Sequence, residues 1–283
     1  MKEDPTPTLF IVATPIGHLG DLTARAVETL RACDRVVAED TRRTRQLLTY
    51  LGIAGTPIER LDGHATARAV ERTVERLVAG ERIALVTDAG TPGVSDPGGV
   101  VIEAAIAAGA RIVPIPGASA ILAALVASGL VGDGRFRFVG FLPREGSRRR
   151  DAIALVCGTP EAVVMFEASN RTRGTLQDLA DPTPGRRACV ARELTKIHEE
   201  TVRGTCAELA ADDRAWAGEV VIVLGAYDPQ EREALVDDAS LDARIDDALA
   251  RGEHARTIAD RLAAWSGRAK RQVYERVVTR KGR

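Results

Sequence analysis

Between Leu9 and Ile115 the chain alternates short unbroken apolar runs with longer stretches whose apolar positions recur every three or four residues. Leu9–Ala13, Arg35–Ala38, Ile83–Val86 and Arg111–Ile115 read as strands, bounded by Gly, Pro or Asp. The segments from about Asp21 to Cys33, through Arg43–Leu51, around Thr66–Ala79 and near Gly98–Ala108 read as helices between them. Strands that are apolar on both faces, separated by helices, predict a parallel sheet covered on both sides. A second set of strands is expected at Phe136–Phe141, Ala162–Glu167, Arg187–Arg192 and Glu219–Leu224, with helices at Thr172–Leu179 and Cys206–Trp216.

The pattern divides the chain into an N-terminal α/β domain (1–117), a second α/β domain (118–227), an acidic linker (228–240) and a helical tail (241–283). A helix beginning near Ala118 bridges the first two. In the tail, Ala263, Gly267 and Val273 match the small, turn and core positions of a helix-turn-helix. Arg268–Arg283 holds seven Lys or Arg and one Glu, so the last helix either meets nucleic-acid phosphates, Lys270 and Arg271 among its contacts, or caps the body.

Composition narrows the classes. With 45% hydrophobic and 28% charged residues the chain is an ordinary globular one. A net charge of −1 excludes a protein that coats nucleic acid by bulk charge, so any RNA contact must come from local basic patches. Cys33, Cys157, Cys189 and Cys206 lie far apart, as do the four histidines, which argues against a disulfide framework and against a metal site. The apolar run near the N-terminus is too short for a signal peptide. The uncharged stretch Ile112–Gly132 is broken by Pro114, Pro116 and Gly117 and reads as buried core, so no membrane partner and a cytoplasmic location are expected.

Four Gly/Pro-rich loops follow strands: Thr14–Asp21, Asp88–Gly98, Pro114–Ser119 and Gly140–Arg144. In open α/β sheets ligands sit beyond the carboxyl ends of strands, where such loops gather. Neither GxGxxG nor GxxxxGK[ST] occurs, which removes the main support for NAD or ATP. A ligand with adenosine and amino-acid ends but no phosphate would suit these loops. Asp88 and Asp96 either touch ligand or cap turns.

The strings TPIGHLGDLT, AEDTRRTRQLL, TDAGTPGVSDPG and PGASA, in this order, resemble the tetrapyrrole methylase-like superfamily of S-adenosylmethionine enzymes. Together with VGFLPR, FEASNR and ARELTKIHEE they are similar to its branch of 16S ribosomal RNA 2′-O-ribose methyltransferases. The resemblance implies two α/β domains with a cofactor cleft between them, S-adenosylmethionine as methyl donor, the small ribosomal subunit as partner and a homodimer. Carried over by motif, it places the donor against Pro15, Thr91, Val94, Gly117, Ala118, Met165 or Phe166, and Glu219 and Val220. Two positions depart from the family pattern: His18 stands where Asn is usual and Asn170 where His is usual.

Methyl transfer to a ribose oxygen needs alignment, and a base or a cation beside the hydroxyl helps. Three charged turns qualify: Glu39, Asp40 and Arg42; Glu167 and Arg171; Glu193 and Lys196. Among them Asp40, Arg42, Glu193 and Lys196 are the expected catalytic set, with ion pairing as the alternative role. RNA contact falls to Arg144, Arg148, Arg149, Arg150 and Arg171, with the Arg42, Arg43 and Arg45 group. The alternatives are a corrinoid or porphyrin C-methyltransferase of the same fold and a non-catalytic ribosome-assembly RNA-binding protein.

Overall fold

A computed structural model describes residues 6–61, 66–226, 238–266 and 268–282. Two compact units are present, one reaching to Ala123 with Leu194–Ile197 added, the other made of Ala124–Glu193 and His198–Arg283.

The first unit is a five-stranded sheet of β1 (Thr8–Val12), β2 (Arg35–Ala38), β3 (Ile58–Arg60), β4 (Ile83–Val86) and β5 (Arg111–Ile115), in the order β3-β2-β4-β1-β5. Every pairing is parallel, in register Leu9↔Ile83 and Thr8↔Arg111. β4 is buried along its whole length, as a central strand with two covered faces must be. Leu9, Ile11, Val37, Leu77, Ile83 and Leu85 form one core cluster. Val12, Leu30, Val36, Leu48, Ala84 and Val86 form another. The helices are α1 (Ala24–Ala32), α2 (Thr41–Tyr50), α3 (Thr66–Val78) and α4 (Gly98–Ala107). α1 starts where the Thr23 hydroxyl accepts the Ala26 N–H, and α2 where the Asp40 carboxylate accepts the Arg42 N–H. The connection leaving β2 runs toward the β3 edge and that leaving β4 toward the β5 edge, so the carboxyl ends of β2 and β4 flank a point where the chain diverges.

α5 (Ala120–Ser128) follows, and the second unit carries β6 (Phe136–Phe141), β7 (Ala162–Ala168), β8 (Arg187–Arg192), β9 (Glu200–Thr205) and β10 (Glu219–Leu224), in the order β6-β7-β10-β8-β9. β6 and β7 are parallel; the other pairings are antiparallel. α6 (Gly146–Gly158), α7 (Thr172–Ala180) and α8 (Cys206–Ala211) accompany them. α8 ends five residues short of the expected Trp216, and that indole is instead a core residue reached by a loop.

Among the described residues the C-terminal part is three helices, α9 (Asp238–Ala250), α10 (Ala255–Ser266) and α11 (Lys270–Lys281), around Leu241, Ile245, Ile258, Leu262, Trp265, Val273 and Val277. Residues 228–237 of the expected linker lie outside the described residues, as do Tyr227 and Gly267. Residues 238–240 are not linker but the first turn of α9, where Asp238 suits the positive end of the helix dipole.

Candidate functional site

The loops after β1, β4 and β5 are tied together by their backbones. The Thr14 N–H donates to the Gly90 carbonyl and the Gly90 N–H returns to Thr14, at 2.9 and 3.0 Å. The Ala13 N–H donates to the Ile115 carbonyl, and the Thr14 hydroxyl to that of Thr87 at 3.0 Å. At Gly117 a side chain would meet the Ala13 methyl at 2.9 Å, so the loop lies directly on the end of β1. Around this knot Thr91, Val94 and Gly117 are exposed, and Pro15 and Ala118 half-buried.

Carboxylates ring the same strand ends. Asp88 accepts the Asp40 N–H at 3.1 Å and pairs with Arg43 at 3.4 Å, joining the β2 and β4 ends. The Thr87 hydroxyl donates to Glu39 at 3.1 Å. Asp96 accepts the N–H groups of Gly93, Val94 and Gly98, which assigns it to holding its own loop. Asp40 pairs with Arg42, whose guanidinium and backbone N–H hold the carboxyl down to about 2. Such a carboxylate is ionised at neutral pH and weak as a proton acceptor, so Asp40 caps a helix and contributes negative field. Arg42 itself is exposed.

The ELTK turn docks on the loop after β1. The Thr195 hydroxyl accepts the His18 N–H at 3.0 Å. At Gly17 an added Cβ would meet Lys196 Cγ and Thr195 Oγ1, both at 2.6 Å. Glu193 and Thr195 have φ of 50° and 65°, a region that β-branched threonine enters at a cost, and such strain gathers at functional sites. The Glu193 carboxylate accepts the Glu219 N–H at 3.0 Å and occupies the space where Gly218 lacks a side chain. His18 caps the next turn, its Nδ1 accepting the Gly20 N–H at 3.0 Å, which an asparagine oxygen would do equally well. Gly17 and Thr195 were not singled out by the sequence; the positive φ of a threonine is visible only in coordinates.

In the second unit the side chains of Met165 and Val220 are core members, so a ligand at these two positions would meet their backbone. The Phe166 ring lies instead against Phe138 and Phe141, and Glu219 is exposed.

The expected RNA-binding arginines divide. Arg144, Arg148 and Arg150 are exposed. Arg149 and Arg171 are instead half-buried and engaged by neighbours within the unit. Arg149 donates to Asp178, the Pro143 carbonyl and Thr175. Arg171 donates to the carbonyls of Leu142 and Pro143 and pairs with buried Glu167, which also accepts the Thr175 hydroxyl. Both arginines therefore clamp the FLPR loop from within. In the tail Lys270 pairs with Asp260 and the exposed Arg271 with Glu275. Arg268, Arg276 and Arg280 are engaged by Asp238, Asp242 and Asp246 of α9.

Among the described residues no group of three or more His, Cys, Asp or Glu is placed to hold a metal ion. No helix among them is long and apolar enough to cross a membrane.

The model of the tetrapyrrole (corrin/porphyrin) methylases matches residues 8–210. A ribosomal RNA small subunit methyltransferase I of Xylella fastidiosa (strain Temecula1) is 49% identical over 78% of the chain and 82% of its own length. Its namesake in Pseudomonas aeruginosa is 38% identical over 98% of both. Among solved structures, a uroporphyrin-III C-methyl transferase from Thermus thermophilus, complexed with S-adenyl homocysteine, shares the fold with a TM-score of 0.53 at 17% identity, covering 77% of this chain and 97% of that one.

Proposed function

The chain belongs to the tetrapyrrole methylases and, within them, to the ribosomal RNA small subunit methyltransferase I family, and from that premise we propose that it methylates the ribose 2′-hydroxyl of a cytidine in 16S ribosomal RNA. The observation that carries this reading is the extent of the likeness. It runs over 98% of the chain and takes in the C-terminal helices, whereas the C-methyltransferase fold covers 77%. A macrocycle methylase has no need of that helical part or of the exposed arginines beside β6.

S-adenosylmethionine, when bound, supplies a sulfonium methyl group that departs by in-line displacement. The residues present fit it. The knotted loops offer backbone amides, carbonyls and the Thr91 hydroxyl, while Glu39, Asp40 and Asp88 stand at the same strand ends. That surround repels phosphates and favours a cationic nucleoside. Pro15, Thr91, Val94, Gly117 and Ala118 hold the donor. Lys196, fixed beside Gly17, brings its ammonium Nζ to the ribose oxygen and stabilises the charge that develops there as the hydroxyl proton passes to solvent water. Glu193, anchored on the Glu219 N–H, orients the turn that carries Lys196. Arg144, Arg148 and Arg150 hold RNA phosphates.

The enzyme works in the cytoplasm, where its substrate is made. It acts as a homodimer, a reading supported by the apolar face of α5, on which Leu122 and Val126 are 53% and 74% exposed. Calorimetric titration of S-adenosylmethionine into wild type and Ala118→Arg tests the donor site. Uptake by wild type and none by the folded variant is expected; equal uptake removes the loop after β5 from the site.

A further inference from the structure

Four of the five phenylalanines of this chain, Phe136, Phe138, Phe141 and Phe166, fall on two neighbouring strands. β6 pairs Phe138 with Val164 and, after a bulge, Phe141 with Phe166. Gly140, with φ of 65°, supplies the extra residue. Strict alternation would have sent Phe141 to the face of Met165, which is core. The bulge turns it to the opposite face, where its ring stands 5.5 Å from Phe166, itself 4.9 Å from Phe138. Phe141 remains 57% exposed at the end of that aromatic row.

The backbone just beyond it is held rigidly. Arg171 donates to the carbonyls of Leu142 and Pro143 at 3.0 and 3.2 Å, and Arg149 to that of Pro143 at 3.0 Å. Immediately after come the exposed Arg144 and, in the first two turns of α6, Arg148 and Arg150. A fixed aromatic face bordered by guanidinium groups is complementary to a nucleotide, the base stacking on the ring and phosphates meeting the cations.

We propose that Phe141 is a stacking platform for one unpaired nucleobase of the RNA substrate, with Arg144 and Arg148 holding the adjoining phosphates. The proposal rests on the reading of ribosomal RNA as substrate and adds a base-contacting residue to it.

The test uses the full chain as Phe141→Ala, Phe141→Leu and Phe141→Trp, with unmodified small ribosomal subunits as probe in filter binding. Calorimetry with S-adenosylmethionine and light scattering run alongside. Ala and Leu are expected to weaken binding about five- to 150-fold, the range of ~1–3 kcal/mol for one stacked base. Trp is expected to bind at least as well as Phe. The salt slope and molecular mass should not move, because the ring carries no charge; a loss of donor affinity as large as the loss of RNA binding would place the ring at the cofactor instead. Binding by Leu equal to wild type would show apolar packing without stacking, and unaltered binding by Ala would remove the ring from the interface. A fall in mass would make Phe141 a contact between copies of the chain. Each of these overturns the proposal alone, whereas wild type failing to bind subunits at all overturns the substrate reading beneath it.

Discussion

Gly17→Ala isolates the docking of the ELTK turn on the loop after β1. Gly17 is absent from the positions with positive φ, so alanine brings no backbone strain there. The added methyl would lie 2.6 Å from both Lys196 Cγ and Thr195 Oγ1 and 3.0 Å from the Leu194 carbonyl. One of three neighbours is backbone, so the turn must shift as a body rather than swing one side chain away. Overpacking of this kind costs about 1–3 kcal/mol. The hydrogen bond from the His18 N–H to Thr195 adds about 0.5–1.5 kcal/mol if it breaks. At roughly 2–4 °C per kcal/mol for a domain of this size, melting should fall by about 3–18 °C. Gly174→Ala is the control: that glycine lies within α7 with nothing inside 4 Å, and alanine there should stabilise by about 0.5–1 kcal/mol. Differential scanning calorimetry and methyl transfer at a temperature where both variants are folded give the readout. Because the shift also moves Lys196, turnover should drop at least tenfold in Gly17→Ala and stay normal in the control. Wild-type melting and turnover in Gly17→Ala would refute the reasoning.

Arg149→Ala should lower the melting temperature by about 3–12 °C, since it removes charge-assisted bonds worth ~1.5–3 kcal/mol from a side chain 14% exposed. Arg148→Ala with Arg150→Ala should leave melting alone and flatten the salt dependence of RNA binding instead; the reverse pattern would restore Arg149 as an RNA contact. Burial pushes the Cys189 thiol up to about 11 and that of Cys206 to about 12, so native protein at pH 8 should resist a disulfide exchange reagent at both and react after denaturation. Rapid native labelling of either would contradict their burial. Asp238, Asp242 and Asp246 are held below the usual carboxylate range by Arg268, Arg276 and Arg280. Depressed acids stabilise the folded state above their unfolded values, near ~4, and that contribution is lost as pH falls through the lower folded values. Trp265 fluorescence in a Trp216→Phe background should therefore report loosening of α9–α11 below about pH 4, earlier at high salt; no change down to pH 2 would mean the ladder is idle.

The parallel first sheet was legible because β1, β2, β4 and β5 are continuous apolar runs, a signal that needs no partner to interpret. β3 was missed: Ile58–Arg60 is three residues long and half polar, and only its pairing with β2 makes it a strand. β9 was missed for a like reason, Glu200–Thr205 being an edge strand with charges along it. α6 hid behind its opening arginines, which read as a basic loop although Ile153, Val156 and Cys157 bury a helical face. At the site, strings rich in Gly and Pro showed where loops must lie, because backbone approach demands those residue types. Which charges those loops keep for themselves was not legible. Arg149 sits between Arg148 and Arg150 and differs from them only in facing α7, a matter of helical phase and tertiary partner. In the tail, too, the pairing was not legible: Asp242 and Asp246 take up Arg276 and Arg280, and Asp238, expected in the linker, takes up Arg268.

The most direct test is methyl transfer itself. Protein incubated with S-adenosylmethionine carrying a labelled methyl group and with small subunits from cells lacking this modification should place one label on the 2′-oxygen of a single cytidine of 16S ribosomal RNA. Lys196→Ala should bind the donor and leave the RNA unlabelled. Label on a base carbon or on a tetrapyrrole supplied in competition, or none with donor demonstrably bound, would contradict the account.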